Sequence, residues 1–112
     1  MGIVKECRHT SVSIQWPLLY ANNDLIGKGT VLTISARECV VTGTMPVAEG
    51  MLLKVWISPA QRNDALYVKA ASVVWARQNE FGLEMLQVDA QDQEWLTRFV
   101  EGGSPNGGVL SW

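Results

Sequence analysis

From Ser11 to Tyr20 the chain alternates, with Val12, Ile14 and Trp16 on one face and Ser11, Ser13 and Gln15 on the other. A period of two predicts a half-buried strand over 11–20, and Pro17 near its end marks an edge or a bend. Asn22-Asn23-Asp24 reads as a turn, because these side chains bond their own backbone and tolerate left-handed conformations. β-Branched Thr30, Val31, Thr33 and Ile34 predict a second strand over 27–35. Ala36-Arg37 is a tight connection to a short return strand at 39–42. A loop over 43–50, holding Pro46, leads to a strand at 51–57, and a second loop follows over 58–64. The β-prone stretch 65–77 contains Tyr67, Val68, Val73, Val74 and Trp75. A turn at Gln78-Asn79 returns it through 81–88 as a hairpin partner.

The period changes once, at Asp89. Beyond it Gln91, Trp95, Leu96, Phe99 and Val100 fall at helical spacing, which predicts a helix over 90–101. Asp89 suits the N-cap, Asp92 and Glu94 sit near the positive end of the helix dipole, and Gly102-Gly103 stops the helix. Six strands and one helix predict a mostly β fold: a small six-stranded antiparallel split β-barrel with one C-terminal α-helix over an opening. The expected organisation is a leader over 1–10, the barrel and helix over 11–101, and a flexible tail over 102–112. The expected core contains Ile34, Val41, Val55, Val73, Trp75, Phe81, Leu83 and Phe99. Trp16, Trp56, Trp75 and Trp95 all read as core packing, with Trp112 out in the tail.

At 112 residues the chain has room for one domain. Its 47% apolar and 18% charged content fits a packed core rather than a disordered chain. No apolar run is long enough to span a membrane and no apolar signal core follows Met1, so the expectation is a cytoplasmic protein without membrane insertion. A net charge of −2 is a poor match for a nucleic-acid polymer, whose binding needs many Lys and Arg.

The enzyme templates fail in turn, so no enzyme and no cofactor are expected. His9 is the single histidine, and Cys7 and Cys39 are the two cysteines. Cys7-Arg8-His9 offers two soft ligands where a zinc site needs four, and buried, unreactive thiols are the simpler reading. No Ser or Cys occupies a nucleophile elbow. Gly27-Lys28-Gly29 lacks the third glycine of a dinucleotide fingerprint and the ending of a phosphate loop.

Residues 27 to 100, taken together, have a familiar shape. Gly29-Thr-Val-Leu-Thr-Ile-Ser35 precedes a short strand and Pro46. Glu49-Gly50 leads into Met51 to Ile57, and Ala70 to Trp75 (AASVVW) is followed by Glu80-Phe-Gly-Leu-Glu-Met85 and the terminal helix. From Arg8 to Val100 the chain resembles a PilZ domain, the bacterial receptor module for the second messenger cyclic di-GMP. That resemblance implies a six-stranded barrel with a C-terminal helix.

The family holds its ligand with an Arg-x-x-x-Arg pair in the leader and an Asp/Asn-x-Ser-x-x-Gly turn after the second strand. Arginines suit that task because a planar guanidinium grips phosphate and stacks on guanine. Here the turn reads Thr33-Ile34-Ser35-Ala36-Arg37-Glu38, so Ser35 matches, Thr33 replaces the acidic or amide acceptor, and Glu38 replaces glycine. The leader supplies Arg8, with Lys5 close to but out of register for the second arginine. The resemblance therefore implies ligand contacts from Arg8, Ser35, Arg37, Lys5 and Thr33 in a weakened site. It implies cyclic di-GMP signalling with weak or no binding of the dinucleotide. The other reading is a nucleotide-independent adaptor that meets a protein partner through the barrel surface or helix. An oligonucleotide-binding small barrel is third, disfavoured by the acidic balance.

Overall fold

The computed structural model describes residues 11–102. Its strands are β1 (Val12–Ala21), β2 (Ile26–Ile34), β3 (Glu38–Gly43), β4 (Leu52–Ile57), β5 (Leu66–Arg77) and β6 (Glu80–Val88), followed by helix α1 (Ala90–Glu101). The strands close into a barrel in the order β1-β2-β3-β6-β5-β4, and every neighbouring pair is antiparallel. The mostly β barrel with one C-terminal helix is therefore the fold that the alternating pattern predicts. The leader 1–10 and residues 103–112, including Trp112, lie outside the described residues.

Alternation decides what points inward. Leu53, Val55 and Ile57 of β4 face the interior while Leu52 and Lys54 face out. Tyr20 and Phe81 meet edge to face inside the barrel, with ring centroids 5.2 Å apart. Burying an apolar side chain of this kind contributes about 1.5–3 kcal/mol, so the barrel interior is the main source of stability. Helix α1 buries Leu96, Phe99 and Val100. Its Trp95 and Phe99 pack on Trp16 of β1, at centroid distances of 6.1 and 5.1 Å. Arg62, from the β4–β5 loop, lies over the Trp95 ring and bonds Asp92 at 2.9 Å, which pins the first turn of the helix.

The local signals behave as their chemistry requires. The Asp89 side chain accepts a hydrogen bond from the Gln91 backbone N–H, and the Gly102 N–H closes the helix onto the Arg98 carbonyl. Gln78 adopts a positive φ of 49° in the β5–β6 hairpin turn. Ile34, Val41, Val55, Val73, Phe81, Leu83 and Phe99 are buried, as expected of the core.

Trp75 is a correction. The register of β5 against β6 slips between Val73 and Trp75, so Val74 becomes an extra residue. The bulge turns Trp75 to the outer wall, where it is only half-buried and lies across Gly82. Trp56 is also half-buried, because it alternates with inward Val55 and Ile57. Of the four tryptophans expected in the core, Trp16 is the one fully enclosed, at 2% exposure.

Candidate functional site

A shallow groove of about 150 Å³ runs over the outside of the barrel, where β2, β3, β6 and β5 lie side by side. One cross-strand row forms its base: Thr33 pairs with Val40, Val40 with Gly82, and Gly82 with Trp75. Residues paired across adjacent strands share a face, so these side chains lie together although up to 49 positions separate them in sequence. Gly82 is required here. A Cβ at that position would sit 2.7 Å from Cε2 of Trp75, well inside van der Waals contact. The missing side chain lets the indole lie against the sheet.

The β2–β3 turn forms one wall and brings Ser35 and Glu38 to the groove. It is tightly tied. The Ser35 Oγ accepts the Glu38 N–H at 3.1 Å and donates to the Glu38 carbonyl at 3.2 Å. The Ser35 N–H donates to that same carbonyl at 2.8 Å. Gln93 of α1 donates to the Ala36 carbonyl, and the Met85 N–H donates to the Arg37 carbonyl. The hydroxyl of Ser35 is thus engaged in its own turn, with one lone pair remaining for a further donor.

Among the described residues, Glu38 is the one charged side chain that lines the groove. The Arg77 guanidinium stands 5.2 Å from the centroid of the Trp75 ring, at the groove's β5 side. Cys39 lies at the floor, where burial, and secondarily the Glu38 charge, pushes its thiol up to about 12. A thiol held neutral is a packing group rather than a nucleophile.

Thr33 and Ser35 therefore meet in one groove. Arg37 is exposed in the turn and is not part of the lining, while Arg8 and Lys5 lie outside the described residues. Trp75, Arg77 and Gly82 join the site without having been expected there. The sequence carries one trace of them, a tryptophan and a glycine on opposite arms of a predicted hairpin.

Comparison with known proteins settles the fold. No family model matches the sequence, and no curated protein does. Among solved structures, the Bacillus subtilis Inhibitor of motility (MotI/DgrA) superposes with a TM-score of 0.72 at 15% identity, over 89% of this chain and 51% of that one. The PilZ domain of CeSA from a cellulose-synthesizing bacterium superposes with a TM-score of 0.62 at 18% identity, over 82% of this chain and 95% of that domain. The barrel has the PilZ fold. This chain spans about half the length of the first of those two proteins. The 33–38 turn, whose sequence resembles the family's Asp/Asn-x-Ser-x-x-Gly signature, forms a wall of the groove. Its serine is kept. Its first residue is the hydroxyl of Thr33, and Glu38 places a carboxylate where the signature has glycine.

Proposed function

We propose that this chain is a bacterial cyclic di-GMP signalling module of PilZ type, a cytoplasmic receptor rather than an enzyme, that binds the dinucleotide weakly along the outer groove. The observation that supports it is the meeting of the 33–38 turn with a half-exposed tryptophan on one wall of a PilZ barrel. Guanine is planar and aromatic, and it would stack on the outward Trp75 in place of the Arg77 guanidinium that lies over the ring. The phosphates would take Arg8 and Lys5 from the leader, with Arg37 and Arg77 as guanidinium groups at the two sides. Thr33 and Ser35 would supply short hydroxyl contacts. Glu38 opposes the anion. A charged hydrogen bond contributes about 1.5–3 kcal/mol, and each ~1.4 kcal/mol is tenfold in affinity. Losing one leader arginine and the acidic acceptor therefore weakens binding by orders of magnitude.

The alternative is an adaptor that works through a protein partner without nucleotide. The engaged Ser35 hydroxyl and the Glu38 carboxylate favour it. Calorimetric titration of the full chain with cyclic di-GMP separates the two readings. Weak wild-type binding, lost in Arg8→Ala and Trp75→Ala and tightened in Glu38→Gly, supports the receptor. Absence of binding in all four proteins at millimolar ligand overturns it and leaves the adaptor.

A further inference from the structure

Charge is sorted around the barrel. Strands β1, β2, β4 and β5 contain no carboxylate, while Glu38, Glu80 and Glu84 all lie on β3 and β6. The strand lysines Lys28, Lys54 and Lys69 lie on β2, β4 and β5. In the ring order β4, with Lys54, stands opposite β3, while β2 and β5, with Lys28 and Lys69, border the acidic strands on either side.

The basic face has a regular layout. Lys28 pairs with Leu19, Leu19 with Trp56, and Trp56 with Tyr67, which makes one outward row across four strands. With strands ~4.8 Å apart, the row spans about 14 Å. In the next row, Ile26 pairs with Ala21, Ala21 with Lys54, and Lys54 opposes the bulged pair Lys69-Ala70. The result is an apolar strip bordered by cations. Leu19 is 48% exposed, Leu52 59% and Ile26 74%.

Two lysines on facing strand positions repel each other, and like charges placed this way destabilise a sheet. Among the described residues, no carboxylate forms an ion pair with Lys28, Lys54 or Lys69, and the ion pairs present involve Arg62 and Arg98. Exposed apolar groups beside unpaired cations carry a cost in the isolated barrel that an acidic, partly apolar partner would remove. We propose that this face docks an extended acidic polypeptide segment, with an apolar side chain over Leu19, Trp56 and Tyr67 and flanking carboxylates on Lys28, Lys54 and Lys69.

Other occupants fit less well. The closed barrel has no open edge for strand addition, so the segment must be held through side chains. Single-stranded nucleic acid stacks its bases on open aromatic faces, whereas Trp56 and Tyr67 are stacked on each other, 5.3 Å apart and 23° from parallel. The exposed aliphatic side chains would also lie idle against a phosphate backbone. Two copies meeting face to face would bring lysines against lysines. A face-to-back contact with the acidic strands would not close, and would build open chains.

This proposal is independent of nucleotide binding at the groove, and its test is read separately. The probe is a fluorescein-labelled synthetic peptide with glutamates flanking central leucine and phenylalanine, titrated into the full chain by anisotropy. A peptide with lysines in place of the glutamates and an oligothymidylate serve as comparisons. The acidic peptide should bind in preference to both. The paired changes Lys54→Glu and Lys69→Glu should weaken it at least tenfold, as should 0.5 M salt, which shortens the screening length to about 4 Å. Leu19→Ser should weaken it several-fold. All three positions are exposed, so circular dichroism should match the wild type, and cyclic di-GMP titrations should be unchanged. Equal binding of both peptides, binding unaffected by the lysine changes, or no binding at all would overturn the proposal. Tighter binding of the oligothymidylate would overturn it in favour of nucleic acid. Self-association abolished by the same lysine changes would overturn it in favour of a second copy.

Discussion

Gly82→Ala tests the geometry of the groove with a single methyl group. The new Cβ would stand 2.7 Å from Cε2 and 2.8 Å from Cδ1 of Trp75, with Nε1 closer still. Ordinary carbon contacts begin near 3.5 Å, so the indole must retreat by roughly 1 Å. Trp75 is half-buried and can swing outward, but it then leaves its rotamer well and its place beneath Arg77. Those losses are about 0.5–1.5 kcal/mol and about 0.5–1 kcal/mol respectively. Alanine offsets part of this, because it is better than glycine in a strand by about 0.5–1 kcal/mol. The single change should therefore destabilise the barrel by about 1 kcal/mol, too small to interpret alone. The double-mutant cycle is decisive. In a Trp75→Ala background the clash is gone, and Gly82→Ala should be neutral or stabilising, which gives a coupling of about 1–2.5 kcal/mol. Urea unfolding followed by far-ultraviolet circular dichroism measures all four proteins without depending on tryptophan emission. An equal Gly82→Ala penalty in both backgrounds would refute the contact, and with it the outward seat of Trp75.

Two further outcomes follow from the interior. Phe81→Ala should cost about 3–5 kcal/mol in a denaturant melt, since the ring is 2% exposed and packs on Tyr20, and a loss below 1 kcal/mol would show that it is not core. The Cys39 thiol should make the protein alkali-sensitive: it ionises near 9 when unfolded and near 12 when native, so the folded state holds the proton more tightly. Stability is then whole below pH 9 and declines by about 1.4 kcal/mol per pH unit above it, up to the native value. Urea melts between pH 8 and 10.5 should show this slope in the wild type and lose it in Cys39→Ala; equal slopes in the two proteins would refute it.

The strands and helix were legible because burial on one face leaves a period of two in a strand and a 3.6-residue period in a helix. Trp56 shows that the period carries more information than residue type. Val55 and Ile57 already placed it outside, and only the habit of burying tryptophan argued otherwise. Trp75 shows what the period misses. Counted straight from Val73 it falls inside, and the added residue Val74 reverses every later side chain. A bulge has no composition of its own, so it becomes visible only when two strands are laid side by side. The groove was half legible. The resemblance singled out Thr33 and Ser35, which line the groove together, but that Ser35 closes its own turn onto Glu38 is a matter of hydrogen-bond geometry. The lysine face was hidden for a related reason: Lys28, Lys54 and Lys69 are far apart in the chain, and barrel closure alone places them on one surface.

The two surfaces share strands. β2 carries Thr33 to the groove and Lys28 to the basic face, and β5 carries Trp75 to the groove and Lys69 to the basic face. Each strand is interrupted between its two contributions: β2 by the register slip between Val31 and Thr33, β5 by slips between Ala70 and Ala71 and between Val73 and Trp75. Bulges bend a strand and raise its twist locally, so the relative aim of the two surfaces is set at these positions. A ligand that only fills the groove leaves the lysine face as it was. One that favours a particular twist at those bulges alters both, and the effect must then be reciprocal: a partner on the lysines tightens or loosens the groove by the same factor. The groove wall with Glu38 and the face with the lysines are thus joined through two strands that are not regular between them.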